Sequence, residues 1–390
     1  MFTLPSGIAA FASAKFGIFP SAGLLLFVGL LSGYCFSLIG RVCSYTGATS
    51  YKDAWAKSVG EKTSWIPNLS SLLTTMQAIV AYSIVLSSTI PQLLAAFGVT
   101  GVSRTQSLLS ITIFVLLPLC LMKTLSALAP FSLVGLCGIL YTGTAMFIRY
   151  LDGSYAPGGA FYEEIDQVMR PRFGSTVNLL SPAIFILASR MSNAFMAHYN
   201  APKLYKELRN NTIPRYQRMV ATSYGIVFLA YSFISSIGFL TFGQGSSSFI
   251  LNNYSTSDPL LSGSRVAIFL SLMFSYPLTF VGFRDNILDF LGFGPDKKSD
   301  AKVLNICTVV LLSIITTIAY FLTDIGTLLS FGGATYANWL TFLYPTYMFI
   351  QCSKRMPGLR KEVPIVKLIL LIGLGMSAIG TNQFIVNNLL

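Results

Sequence analysis

Charge is what this sequence has least of. Asp, Glu, Lys and Arg make up 10% of its 390 residues, where a soluble domain carries about a quarter. The charge-free stretches run over 16–40, 63–103, 124–148, 219–257, 266–283, 303–323, 325–353 and 368–390. A bilayer core of roughly 30 Å takes about 20 apolar residues as helix, and these stretches supply that length. The ~10-residue alternating segments of a membrane β-barrel are not seen. The reading is a polytopic helical membrane protein with no soluble domain.

Histidine is nearly absent, with His198 alone in the chain. A single imidazole makes HExxH impossible and cannot build a metal site of the usual type, so no metal is expected. No P-loop or GxSxG occurs and no carboxylate lies within a predicted span, so nothing in the chain supports an enzyme. The six cysteines (Cys35, Cys43, Cys120, Cys137, Cys307 and Cys352) avoid the predicted outer loops, which excludes a structural disulfide framework. A basic leader is lacking too. In MFTLPSGIAAFASAKFGIF, Lys15 interrupts the apolar run, so the segment is not a signal peptide. It reads as the outer half of a broken helix in a chain expected to lack its natural start. A short tilted first helix is the alternative.

What is present is a positive balance of +12. In a membrane chain its placement matters more than its size. Predicted spans at 21–40, 71–97, 107–122, 128–148, 178–199, 219–242, 265–282, 303–322, 328–350 and 366–388 follow a short apolar segment at 1–18. One set of alternating loops then holds 19 of the 26 Lys and Arg, the opposite set holds 6, and Arg190 lies inside a span. The 19-residue side is cytoplasmic by the positive-inside rule. The charge is therefore an orientation signal, and no nucleic-acid partner is expected. The sequon Asn253-Tyr254-Ser255 falls in an outer loop open to glycosylation, whereas Asn68-Leu69-Ser70 and Asn210-Asn211-Thr212 fall on the cytoplasmic side.

Two places break the helical pattern: Leu4-Pro5-Ser6-Gly7 and Ser189-Arg190-Met191-Ser192-Asn193. As helices 1 and 6 they stand five spans apart and in opposite orientation. Paired interrupted helices of this kind point to a midplane binding site in inverted-repeat transporters. An arginine at such depth costs at least ~2.5–3.5 kcal/mol and persists where it faces a cavity, a partner or a substrate. Three roles are open to Arg190: pairing with carbonyls freed at a helix break, holding a substrate carboxylate, or standing in for a coupling cation. His198, eight residues on and on roughly the same face, is either a satisfied structural imidazole or a proton carrier. Tyr82, Ser83, Ser87, Ser88, Ser271, Ser275 and Tyr276 place hydroxyls within spans. These either bond the preceding turn of their own helix or ligate a hard cation such as sodium. No filter-like element speaks for a channel.

Several stretches resemble the amino acid/auxin permease family of the amino acid–polyamine–cation superfamily. MFTLPSGIAAF is similar to the second part of that family's first helix, which places Met1 just after its G-x-G break. Phe195, His198, Tyr205, Glu207 and Leu208 stand in the register of its F-x-x-H…I-Y-x-E-L signature. AYSIVLSSTIP (81–91), RVAIFLSLMFSYPLTFVGFR (265–284) and FGGATYANWLTFLYP (331–345) resemble its helices 3, 8 and 10. The resemblance implies an all-α, LeuT-like fold in one transmembrane domain over 1–390. Its inverted five-helix repeats would span about 1–150 and about 176–352, with an eleventh helix at about 366–388 and an incomplete first helix.

The resemblance further implies secondary active amino acid transport by alternating access, with a cation as co-substrate. Ser275 falls where sodium-coupled members place a helix 8 hydroxyl ligand, while Arg190 and Asn193 depart from a stretch that is usually apolar or aromatic. The expected substrate-binding residues are Ser189, Arg190, Ser192, Asn193, Tyr82 and Ser271, with Ser275 at the cation and His198 in proton coupling. No cofactor is expected beyond the coupling ion, Na+ or H+; the partners are an amino acid, that cation and the bilayer of a plasma, vacuolar or lysosomal membrane. Two alternatives remain, a carrier of another small organic solute and a transporter-like amino acid sensor. The longest cytoplasmic loop, 41–66, is short for a signalling module.

Overall fold

The computed structural model describes residues 17–122, 132–174, 181–293 and 300–388. The expected first break at 4–7 lies outside them. The chain is an all-α, multi-pass membrane protein. Among the described residues seven helices are long and apolar enough to cross a bilayer, and no strand forms.

In chain order the helices are α1 Ile18–Thr46, α2 Tyr51–Ser58, α3 Trp65–Ala96, α4 Arg104–Leu121, α5 Ser132–Leu151, α6 Ala183–Ala194, α7 Ala201–Glu207, α8 Ile213–Phe242, α9 Pro259–Phe290, α10 Ala301–Phe321, α11 Ile325–Ala334, α12 Tyr344–Arg355 and α13 Val363–Asn388. Their ends are set by local chemistry. Gly47 terminates α1 in the left-handed region at φ 63°, returning its N–H to the Cys43 carbonyl. Ser103 and Gln106 form a reciprocal capping box at the start of α4. Asp258 accepts from the Leu260 and Leu261 N–H groups at the start of α9, with Pro259 at the position where no donor is needed. Two π-turns, Thr112–Leu116 and Trp339–Leu343, each stand two residues ahead of a proline, Pro118 and Pro345. A proline ring cannot donate and crowds the carbonyl four residues back. A widened turn relieves both.

The chain divides into two compact units. One takes in the described residues of 1–74, 175–236 and 329–390. Its core joins Leu38, Ile39 and Val42 of α1 to Tyr216 of α8 and Met348 and Phe349 of α12. Gly40 lets α1 lie against the Tyr216 ring, which a Cβ would meet at 2.2 Å. At the end that the loop charges assign to the cytoplasm, Arg41 grips Glu362 with two bonds of 2.7 Å, and Tyr34 donates to the same carboxylate at 3.0 Å.

The other unit takes in the described residues of 75–174 and 237–328. Here α5 and α9 pack through small residues: Gly135 faces Ser271, Gly138 faces Ala267, and Gly263 faces Tyr141. Without a Cβ on one side at each level the backbones approach closely, the usual device between helices in lipid. Beside them lies a polar knot. Asp258 accepts two bonds of 2.9 Å from Arg149 and one from Tyr155 at 2.9 Å. Arg265 is fully buried and donates to Gln92 and to the carbonyls of Leu251, Tyr254 and Ser255. Asn253 of the outer sequon is fully buried in the same knot. Its amide donates to Gly245 at 2.7 Å and Met169 at 3.1 Å, and its oxygen accepts from the Ser247 N–H. That side chain is fully used by the fold and leaves no access for a glycan.

Candidate functional site

Helix α6 is the polar helix of the first unit. Leu187, Ala188, Met191 and Ala194 recur at helical spacing and bury against Leu25 and Val28 of α1, Val227 and Tyr231 of α8, and Ile369 and Met376 of α13. Arg190 and Asn193, three residues apart on another face, meet the chain at 329–330 instead. Arg190 donates its Nε–H to Ser330 Oγ at 2.6 Å, and Asn193 donates to the Leu329 carbonyl at 3.3 Å. Ser189 returns its hydroxyl to the Phe185 carbonyl at 2.7 Å, one turn back.

Ser189 sits where two other elements come nearest. A Cβ at Gly333 would lie 2.0 Å from the Ser189 carbonyl oxygen, and one at Gly380 would lie 2.6 Å from its hydroxyl. Both glycines are therefore required by contact with α6, not by backbone conformation.

The interruption falls later than the sequence pattern placed it. Residues 189–193 are helical, and the helix opens at Phe195–Ala197, with Phe195 at φ −90°, ψ 0° and Ala197 at φ −141°, ψ 11°. A one-turn 3-10 segment, His198–Asn200, then leads into α7. No proline or glycine lies between Ala183 and Ala201, so nothing local forces the break. Hydroxyls from elsewhere in the unit satisfy the freed carbonyls: Tyr231 donates to the Ala194 carbonyl at 3.3 Å, and Tyr224 to that of Phe195 at 3.2 Å, with Ser32 Oγ at 3.5 Å. The polar residues at 189–193 leave the helical ladder undisturbed: Ser189, Arg190 and Asn193 find side-chain partners without opening it.

His198 is fully buried just beyond the break, with the Phe36 ring edge-on at 5.4 Å between centroids. Its Nε2 stands 3.0 Å from the Ser32 carbonyl. A carbonyl only accepts, so Nε2 carries a proton. Nδ1 and Ser192 Oγ are buried polar atoms without a partner among the described residues. Such atoms call for a water, an ion or a ligand atom.

The remaining expected residues belong to the second unit. Tyr82 lies with its ring 6.5 Å from that of Tyr276, whose hydroxyl pairs with Ser83 at 3.2 Å. Ser271 is the residue that packs on Gly135. The Ser275 carbonyl accepts from Thr279 Oγ1 at 3.1 Å. Among the described residues no three His, Cys, Asp or Glu side chains gather as metal ligands. The structure thus brings Ser189, Arg190, Ser192, Asn193 and His198 onto one interrupted helix. It adds residues that the sequence reading did not single out: Ser32, Tyr224, Tyr231, Leu329, Ser330, Gly333 and Gly380. Only Gly333 and Gly380 carried a signal, since a glycine within a helix costs stability unless something must approach it.

Comparison with known proteins follows the same lines. A family model described as transmembrane amino acid transporter protein matches residues 7–386. The chain is 24% identical over 379 residues to amino acid transporter AVT6E of Arabidopsis thaliana, across 92% of this chain and 75% of that one. It is 23% identical over 367 residues to sodium-coupled neutral amino acid symporter 2 of Danio rerio, across 89% of this chain and 72% of that one.

Proposed function

Because the chain belongs to the transmembrane amino acid transporter family, we propose that it carries amino acids across its membrane by alternating access, coupled to a cation. The observation that carries this reading is the opening of α6 at Phe195–Ala197 beside Ser192 and His198, two buried side chains with polar atoms left over. Unwound backbone inside a membrane is tolerated where it is buried in protein or lines a cavity. In transporters such breaks supply carbonyls for ammonium groups and coupling ions. The sodium-coupled symporter of Danio rerio supports sodium as the cation.

In this reading the helices form inverted five-helix repeats, and Ser189, Arg190, Ser192, Asn193, Tyr82 and Ser271 serve the substrate. Arg190, as a fixed guanidinium, suits a carboxylate. Ser275 serves the cation through its hydroxyl. His198 has its Nε2 committed to the Ser32 carbonyl in the conformation described. A second proton on Nδ1 would lack an acceptor among the described residues, so proton transfer through His198 requires the break to rearrange.

The test is labelled amino acid uptake into proteoliposomes over a mixed panel, with sodium replaced by choline at constant pH. Uptake that collapses without sodium supports Na+ coupling; uptake that follows an imposed pH gradient in either salt moves the coupling to H+ and to His198. Binding of amino acids without net uptake would instead identify a sensor. Under sodium coupling, Ser275→Ala raises the sodium needed for half-maximal uptake by about five- to tenfold, the loss of one ligand hydroxyl. An unchanged sodium response removes Ser275 from the cation site.

A further inference from the structure

Between α1 and α8 the first unit carries an open cleft of about 360 Å³, lined by Leu26, Gly29, Leu30 and Gly33 on one side and Ala221 and Phe228 on the other. Its floor is Tyr224, whose ring meets Gly33 and whose hydroxyl holds the Phe195 carbonyl at the α6 break. Leu26, Leu30, Ala221 and Gly225 are exposed along it. A Cβ on Gly225 would meet nothing within 4 Å. The cleft is apolar over most of its length and polar at one end, where Ser37 and Gln217 line it. One helical turn brings Arg218 onto the face of Ala221 and Gly225. Arg215 and Arg218 are exposed at that same end of α8, the end that the loop charges assign to the cytoplasm.

We propose that this cleft binds an anionic phospholipid of the cytoplasmic leaflet, with an acyl chain lying between Leu30 and Gly225 and the phosphate on Arg218 and Gln217. Charge and shape argue for that occupant together. The apolar length fits a hydrocarbon chain, and the cationic rim at the cytoplasmic end fits a negatively charged headgroup. A zwitterionic phospholipid brings a cation beside its phosphate and so gains less from the basic rim, and a sterol has no phosphate to place there. Gly225 keeps the cleft open, since the space in front of it is free, whereas Gly29 and Gly33 face the Phe195 and Tyr224 rings.

The test needs no transport measurement. The delipidated full chain is titrated with dioleoyl phosphatidylglycerol or dioleoyl phosphatidylcholine, which share their chains, and retained lipid is read by native mass spectrometry. One phosphatidylglycerol is expected to be held in preference to phosphatidylcholine. Arg218→Gln weakens it about fivefold, the effect of one basic residue at a lipid surface. Gly225→Leu fills the cleft and weakens it by about tenfold, the cost of displacing about two buried methylenes. Gly375→Leu, at another glycine with open space before it, leaves retention unchanged. Equal retention of the two lipids overturns the proposal. So does a Gly225→Leu protein that still holds phosphatidylglycerol, or a dimer that holds none.

Discussion

Arg190 bears a full charge on a helix whose neighbours are mostly apolar, yet its Nε–H meets a serine hydroxyl, Ser330 Oγ. A hydroxyl accepts from a guanidinium without removing its charge, and the roles proposed for that charge are to hold a substrate carboxylate or to stand in place of a cation. Arg190→Met keeps a flexible unbranched stem and removes the guanidinium and its charge. It is expected to leave insertion intact and to change either substrate preference or ion dependence, read by competition uptake in sodium and in choline. Uptake unaltered in both respects would make the arginine structural. Glu164, in the outer loop before α6, is a different case. Hydrogen bonds from Ser255 and then Ser257 hold its carboxyl below the ordinary value of 4.5. A carboxylate whose folded pKa is depressed stabilises the protein above its unfolded pKa and loses that contribution as pH falls through the folded one. Thermal stability is therefore expected to be flat above about pH 5 and to fall below pH 4.5. Glu164→Gln should flatten that acid limb, measured as melting temperature against pH.

At the scale of elements, α6 owes its place to two glycines outside it. Because the Cβ of Gly333→Ala would sit 2.0 Å from a backbone oxygen, the helices must part. Overpacking of this kind costs on the order of 3 kcal/mol. The expected result is a lower melting temperature together with slower uptake, since Ser330 and Leu329 would withdraw from Arg190 and Asn193. A variant with wild-type stability would show that the contact yields freely. The sequence marked α6 correctly as the special helix, through Arg190 and His198, but put its opening one turn early. Polar residues in a hydrophobic segment were read as the break itself. They are the side chains that serve the helix, and the break is made by Tyr224, Tyr231 and Ser32, which no local pattern connects to residue 195. The sequon at Asn253 misled for a similar reason: three residues show an acceptor pattern, while burial comes from the loops that close over it.

At the scale of the whole molecule, the alternation of loop charge assigns sides that labelling can check. In sealed vesicles of known orientation, a membrane-impermeant maleimide should reach Val168→Cys and Lys203→Cys from opposite faces, since both positions are exposed. Labelling from the same face would overturn the topology. Membrane residence, the all-helical class and the polar helix were written in composition and spacing, because lipid imposes one strong rule. Charges leave the spans, and helices run about 20 residues between them. What only tertiary structure decided is where α6 opens, which glycines admit it, why Arg265 and Asn253 are buried, and where a cleft stays unfilled. Each of these depends on groups tens to hundreds of residues apart meeting within a few ångströms. A helix carbonyl is given up only when a hydroxyl from another helix arrives to take its place.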